Sequence, residues 1–151
     1  MPEVKGWTIR NAISEDFPSL LSLWRLAETH PTATDDSDAL KLLLERDRKA
    51  LRLVEADGDV VGSLIVGWDG WRGNLYRLAV HPDWRRRGIA AALVRDAEER
   101  LRELGAVRMT AIVVDEDVEA AAFWNAVGYR RQEKRGRYVR MLDGSEVGPT
   151  G

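Results

Sequence analysis

The chain contains no cysteine. That excludes disulfides, thiolate metal sites and a cysteine nucleophile, and it fits a reducing compartment. It has only two histidines, His30 and His81, which leaves little for imidazole chemistry. No apolar run approaches the length of a membrane span, and residues Met1 to Arg10 carry no apolar segment of the signal-peptide kind. The expectation is a cytoplasmic protein with no membrane partner. Net charge is small, formally −2 over 151 residues, so nothing draws the chain generally to nucleic acid. Internal repeats and low-complexity linkers are also absent. What remains is an ordinary globular composition, 44% hydrophobic and 32% charged, long enough for one core. Six tryptophans are the abundance that stands out. Indoles carry large apolar area and belong in cores or pocket walls.

Apolar periodicity orders the chain. A first strand is expected over Trp7 to Asn11. A helix capped by Ser14 carries Phe17, Leu20, Leu21 and Trp24 on one face. A second helix, capped by Ser37, buries Leu40, Leu43 and Leu44. Leu51 to Ala56 and Val60 to Trp68 form a hairpin across Asp57-Gly58-Asp59. A turn from Trp68 to Gly73 leads into a strand over Leu75 to Val80. The helix over Gly88 to Leu104 has Ile89, Leu93, Ala97, Leu101 and Leu104 on one stripe, with Gly105 to end it. A buried strand over Val107 to Val114 follows, then an alanine-rich helix over Asp117 to Val127. A last hairpin pairs Tyr129 to Lys134 with Arg137 to Met141. The order β-α-α-β-β-β-α-β-α-β-β predicts a mixed, partly antiparallel α/β sheet flanked by helices. The long crossover helix joins parallel strands. One domain is expected over residues 1–142, with a tail from Asp143 to Gly151.

The most informative stretch is Leu78-Ala79-Val80-His81-Pro82-Asp83-Trp84-Arg85-Arg86-Arg87-Gly88-Ile89-Ala90. A strand ends, a loop turns, and a helix opens on three arginines and small residues. The first amides of a helix lack internal partners, and the peptide dipoles place roughly half a positive charge there. Gly88 and Ala90 let a bulky anion approach the backbone, which suits a pyrophosphate. Cations at a helix start oppose its dipole, and a bound anion would resolve that conflict. The plain alternative is a solvated basic turn.

Arg85-Arg86-Arg87-Gly88-Ile89-Ala90 resembles the acetyl-coenzyme A signature of the GCN5-related N-acetyltransferase (GNAT) family: Gln or Arg, two residues, Gly, one residue, then Gly or Ala. The downstream run Asp117 to Tyr129, with Phe123-Trp124, Asn125 and Gly128-Tyr129, resembles a second family motif. The element order from Trp7 to Met141 is similar to the family fold. Gly67-Trp68-Asp69-Gly70-Trp71-Arg72-Gly73 resembles a subgroup of small bacterial acetyltransferases. The resemblance implies that acetyl moves from acetyl-coenzyme A to an amine; with no cysteine, and no serine or histidine in a nucleophile motif, direct attack in a ternary complex is expected, with no acetyl-enzyme and no metal. By resemblance, Arg85, Arg86, Arg87, Gly88, Ile89 and Ala90 hold the pyrophosphate. Leu78, Ala79 and Val80 splay at a bulge and pair with the pantetheine arm. The Leu78 amide faces the acetyl carbonyl.

Two family features are altered. Asp117 stands where the family often has Asn; it accepts from pantetheine or caps a helix. Trp124 stands where many members have a Tyr acid. An indole lines a pocket or fills a core, and it has no useful acidity. Water, Tyr129 or Tyr138 remain as proton sources. No carboxylate lies in Asn74-Leu75-Tyr76-Arg77, where some relatives keep a base. Asp69 and Tyr76 are the remaining candidates, with a plain turn residue as the simpler reading of Asp69. His30 falls in the loop that shapes the acceptor pocket in the family, and His81 precedes Pro82 at a strand end. The acceptor is an amine on a small molecule or peptide, and a homodimer is left open. A non-catalytic acetyl-coenzyme A sensor, or an interaction module of the same fold, is the competing reading.

Overall fold

The computed structural model describes residues 6–27 and 34–148; His30 lies outside them. Five strands form one sheet in the order β1-β2-β3-β4-β5: β1 (Thr8–Asn11), β2 (Leu51–Ala56), β3 (Asp59–Trp68), β4 (Gly73–Val80) and β5 (Met109–Ala111). The first four pair antiparallel and β5 joins β4 in parallel. The helices are α1 (Phe17–Leu26), α2 (Ser37–Arg46), α3 (Ile89–Leu104) and α4 (Val118–Ala126). This is the mixed α/β sheet expected, with α3 as the crossover between the parallel strands.

Each face of the sheet has its own core. On one, Phe17, Leu20, Leu23 and Trp24 of α1 and Leu40 of α2 meet Leu51, Leu53 and Ala79. On the other, Ile89, Leu93, Ala97 and Leu101 of α3 meet Val54, Leu64, Val66 and Leu75. Leu104 falls off that stripe and is 43% exposed, because α3 has by then run past the sheet. Ion pairs tie α3 to β2 and to the end of α2. Arg100 holds Asp47 with two bonds of 2.7 and 2.8 Å, and Arg52 holds Asp96 at 2.8 and 2.9 Å.

Several local expectations are corrected. Neither serine caps a helix: Asp16 occupies the N-cap position of α1 without a side-chain cap bond, and Asp36 caps α2. Asp16 accepts from the Ile13 amide at 2.8 Å and pairs with Arg10. Asp36 accepts from the Ala39 amide at 2.7 Å. The first hairpin turns on Asp57-Gly58 alone, both at positive φ (52° and 82°), as the tightest two-residue turns require. The strand expected over Val107 to Val114 shrinks to β5, with Val107 97% and Ile112 56% exposed. No strand forms over 129–148. That segment is dominated by charges (Arg130, Arg131, Glu133, Lys134, Arg135, Arg137, Arg140), and Tyr138 is fully exposed. It has β-compatible residues but no apolar face to bury, and pairing without burial is weak.

Candidate active site

The site begins where β4 changes register. Between Ser63 and Ile65 of β3, β4 advances from Ala79 to Tyr76, so Arg77 and Leu78 together oppose Leu64. This is a β-bulge, the expected device for re-aiming a strand. Arg77 carries its cost. It sits at φ +56°, a left-handed conformation worth about 1–3 kcal/mol for a non-glycine residue. Surrounding contacts fix it there. The Ser63 hydroxyl donates to the Arg77 carbonyl at 2.8 Å. The Arg77 guanidinium pairs with Asp35, with Nε donating at 2.8 Å, and lies 5.2 Å from the Trp24 ring. Burial pushes the Arg77 pKa down, and the Asp35 partner keeps the buried charge compensated.

Beyond the bulge the sheet opens. β4 and β5 pair only from Gly73↔Met109 to Leu75↔Ala111. A cleft of about 870 Å³ lies past that point. Leu78, Val80, Arg85 and Ala90 line one wall, and Ala111, Val113, Asp117 and Trp124 line the other. Trp24, Leu40, Tyr76 and Arg77 line the end toward α1 and α2.

The turn at the mouth of this cleft is built for backbone donors. Pro82–Trp84 make one 3-10 turn, in which His81 Nδ1 accepts from the Asp83 amide at 3.0 Å. Arg86 (φ +63°) and Gly88 (φ +80°) are both left-handed. The first helical bond runs from the Ala92 amide to the Gly88 carbonyl, so the amides of Ile89, Ala90 and Ala91 precede it. Ile89, 1% exposed, anchors the turn in the core. The three arginines diverge. Arg85 leans into the cleft toward the Val80 and Ala27 carbonyls at 3.4 and 3.3 Å. Arg87 stacks 4.3 Å from the Trp84 ring. Arg86 is exposed. Among the described residues no carboxylate forms an ion pair with any of the three. Positive charge with no acidic partner, beside amides at a helix start, fits the pyrophosphate of coenzyme A.

The remaining candidates separate by position. Asp117 caps α4, accepting from the Ala120 amide at 2.9 Å, and also lines the cleft. Trp124 is likewise both wall and packing: it stands edge-on to Phe123 and Tyr129, with centroids at 5.3 and 4.9 Å. Tyr76 faces the cleft, half-exposed. Asp69 does not reach it. Its carboxylate accepts from the amides of Arg72 (2.8 Å) and Trp71 (2.7 Å), which hold it below the usual carboxylate range. It holds the turn and is not among the residues that line the cleft. His81 is used within its own turn. Tyr138 is fully exposed and does not line the cleft, although its neighbour Arg137 does.

Tyr129 does not line the cleft either. Its hydroxyl donates to Glu98 at 2.9 Å, and burial together with that carboxylate pushes its pKa well above the ordinary range. Tyr129→Phe is therefore expected to leave the basic limb of the kcat–pH profile where it stands in the wild type. A limb that disappears in the variant would restore the phenol as an acid.

Trp24, Asp35, Ser63 and Arg77 were not legible as site residues. Their contacts span 14 to 42 positions in sequence, and no local pattern encodes such a meeting. Among the described residues no group of three or more His, Asp or Glu is placed to hold a metal, and no helix is long and apolar enough to cross a membrane.

The same architecture recurs in solved structures. An acetyltransferase from Trypanosoma brucei is 23% identical, covering 89% of this chain and 99% of that chain, with a TM-score of 0.65. The PaiA N-acetyltransferase of Thermoplasma acidophilum, solved with coenzyme A, is 15% identical over 86% of this chain and 93% of that one, with a TM-score of 0.74. The aminoglycoside N-acetyltransferase AAC(6')-Iy, solved with CoA, is 20% identical over 94% and 99%, with a TM-score of 0.69. At these identities the likeness is one of fold. The sequence itself matches the acetyltransferase (GNAT) family over residues 8–129, from the first strand through the turn at Gly88 to the end of the α4 motif, and the chain belongs to that family.

Proposed function

We propose that this protein is an acetyl-coenzyme A-dependent N-acetyltransferase that acetylates an amine by direct attack in a ternary complex. The observation that carries the reading is the open β4–β5 cleft leading from the bulge to the arginine-rich turn. Residues Arg85 to Ala90 would hold the pyrophosphate. The β4 edge at Leu78, Ala79 and Val80 would pair with the pantetheine arm, between the walls made by Asp117 and Trp124. The acetyl carbonyl would then lie at Leu78, whose amide meets the negative charge that develops as the amine attacks. Such a donor is worth about 2.7–4 kcal/mol when well aligned. The C–N bond forms, the C–S bond breaks, and the sulfur leaves as a thiolate. A simple thiol has a pKa of about 8.5, so a side-chain acid is not essential, and water can protonate the product. The catalytic domain is assigned to residues 1–142, with 143–151 as a tail.

The acceptor enters from the end of the cleft toward α1 and α2. Two solved relatives of the fold are named as aminoglycoside acetyltransferases, which favours a small amine and places aminoglycosides in the first panel to be tried. The test is release of coenzyme A from acetyl-coenzyme A against such amines, with peptides and polyamines alongside. Binding without turnover on any amine would favour a sensor of acetyl-coenzyme A instead. Incubation with [14C]acetyl-coenzyme A alone is expected to leave no stoichiometric label on the protein, because the sequence has no cysteine and no Ser or His in a nucleophile motif. A labelled side chain that chases into product would refute direct transfer.

Trp124 gives a second test. As a pocket wall it has no proton to supply, so Trp124→Phe should keep turnover within about threefold and leave cofactor affinity unchanged, while Trp124→Tyr should match or exceed the wild type. Melting temperature must be followed on the same proteins, since Trp124 also packs on Phe123 and Tyr129. A large loss of turnover in Trp124→Phe with unchanged melting would give the indole N–H a direct role.

A further inference from the structure

We propose that Ser63 and Trp24 are positioning residues that aim and polarise the Leu78 amide; the proposal rests on the reading of that amide as the donor to the acetyl carbonyl. The Trp24 indole N–H donates to the Ser63 hydroxyl at 2.8 Å. The hydroxyl donates in turn to the Arg77 carbonyl at 2.8 Å. Ser63 is 0% exposed and Trp24 3% exposed, so water does not compete for either bond.

The Arg77 carbonyl and the Leu78 N–H belong to one peptide unit. That unit is planar and trans, as no cis bond occurs among the described residues, so its C=O and N–H point in opposite directions. A carbonyl tied to Ser63 on β3 therefore turns the Leu78 N–H away from β3. On that side of β4 the partner strand has already ended, since β5 pairs only as far as Leu75, and the cleft begins. Arg77 and Leu78 lie in the bulge, outside the regular β3–β4 register, so the ladder alone does not fix this peptide. Three donors thus point the same way, from indole to hydroxyl to amide. In a water-free setting each bond in such a chain strengthens the next. The Leu78 N–H becomes a fixed and stronger donor at no reorganisation cost when charge develops.

The experiment reads the acetyl carbonyl directly. Infrared difference spectra of [1-13C]acetyl-coenzyme A bound to the full chain report hydrogen bonding as a fall in the thioester carbonyl frequency. The wild type should show that fall. Ser63→Ala should reverse most of it and lower kcat with the best amine of the panel by about tenfold. The Kd for coenzyme A, which lacks the carbonyl, should stay within about twofold of the wild type. Ser63→Cys, a weaker donor, should fall between the two. Trp24→Phe keeps the hydroxyl on Arg77 but removes its polarising donor. It should shift the band less, in the same direction, and it carries the test if Ser63→Ala does not fold. A wild-type band that does not move on binding overturns the Leu78 assignment, and the proposal with it. A wild-type band that moves, and that Ser63→Ala and Trp24→Phe leave in place, overturns the proposal alone.

Discussion

Gly88→Asp is expected to weaken coenzyme A binding about a hundredfold or more, whereas Gly88→Asn weakens it only a few-fold. Gly88 sits at φ +80° at the start of α3, and an added Cβ would meet no atom within 4 Å. The obstacle to substitution is therefore backbone conformation, not space. Asn and Asp both tolerate the left-handed region better than other non-glycine residues, and they have nearly the same shape. The pair shares the backbone cost and differs only in charge. A carboxylate there faces the pyrophosphate that Arg85 to Ala90 would hold. At an effective dielectric of about 20, two charges 4 Å apart repel by about 4 kcal/mol; solvent at this exposed turn reduces that, and about 2.7 kcal/mol already gives a hundredfold. Calorimetric titrations of the three proteins with coenzyme A check this, and the Asp defect should shrink in high salt. Equal losses in Asn and Asp would mean that the turn matters for its shape alone and that no phosphate lies against it.

The second large effect is on stability. Leu93→Ala should cost about 3 kcal/mol and lower the melting temperature by about 6–12 °C. Leu93 is 0% exposed and packs among Val94, Ala97, Leu64 and Val66 on the α3 face of the sheet. The same helix begins at the Arg85–Ala90 turn, yet Leu93 lies one turn inside it. Saturating coenzyme A should therefore raise the melting temperature of variant and wild type by a similar increment, because a ligand that binds only the native state adds its own free energy. A variant that has lost the ligand increment would show that the core packing of α3 also sets the turn. A change in melting below about 2 °C would mean that this core is not packed as described.

How much of this was legible follows from how far apart the cooperating residues are. The stripe Ile89, Leu93, Ala97 and Leu101 repeats along one helix, and all four are at most 1% exposed. The turn from Arg85 to Ala90 is contiguous, so its glycine, its arginines and the helix it opens could be placed from sequence. Asp117 was readable as a cap for the same reason. Three features depend on neighbours that the chain order does not name. The extent of β5 was overestimated because β-propensity ignores whether a face is covered. The charged segment after Tyr129 failed to pair for that same reason. Trp24, Ser63 and Arg77 come together only because α1 packs over β3 and β4. A buried serine at mid-strand has no signature of its own. Local sequence, then, determined the helices, the Asp117 cap and the turn that opens α3, since those are decided by residues a few positions apart. Only the tertiary structure decided what holds the bulge at Arg77 and Leu78, because that depends on side chains from two other elements.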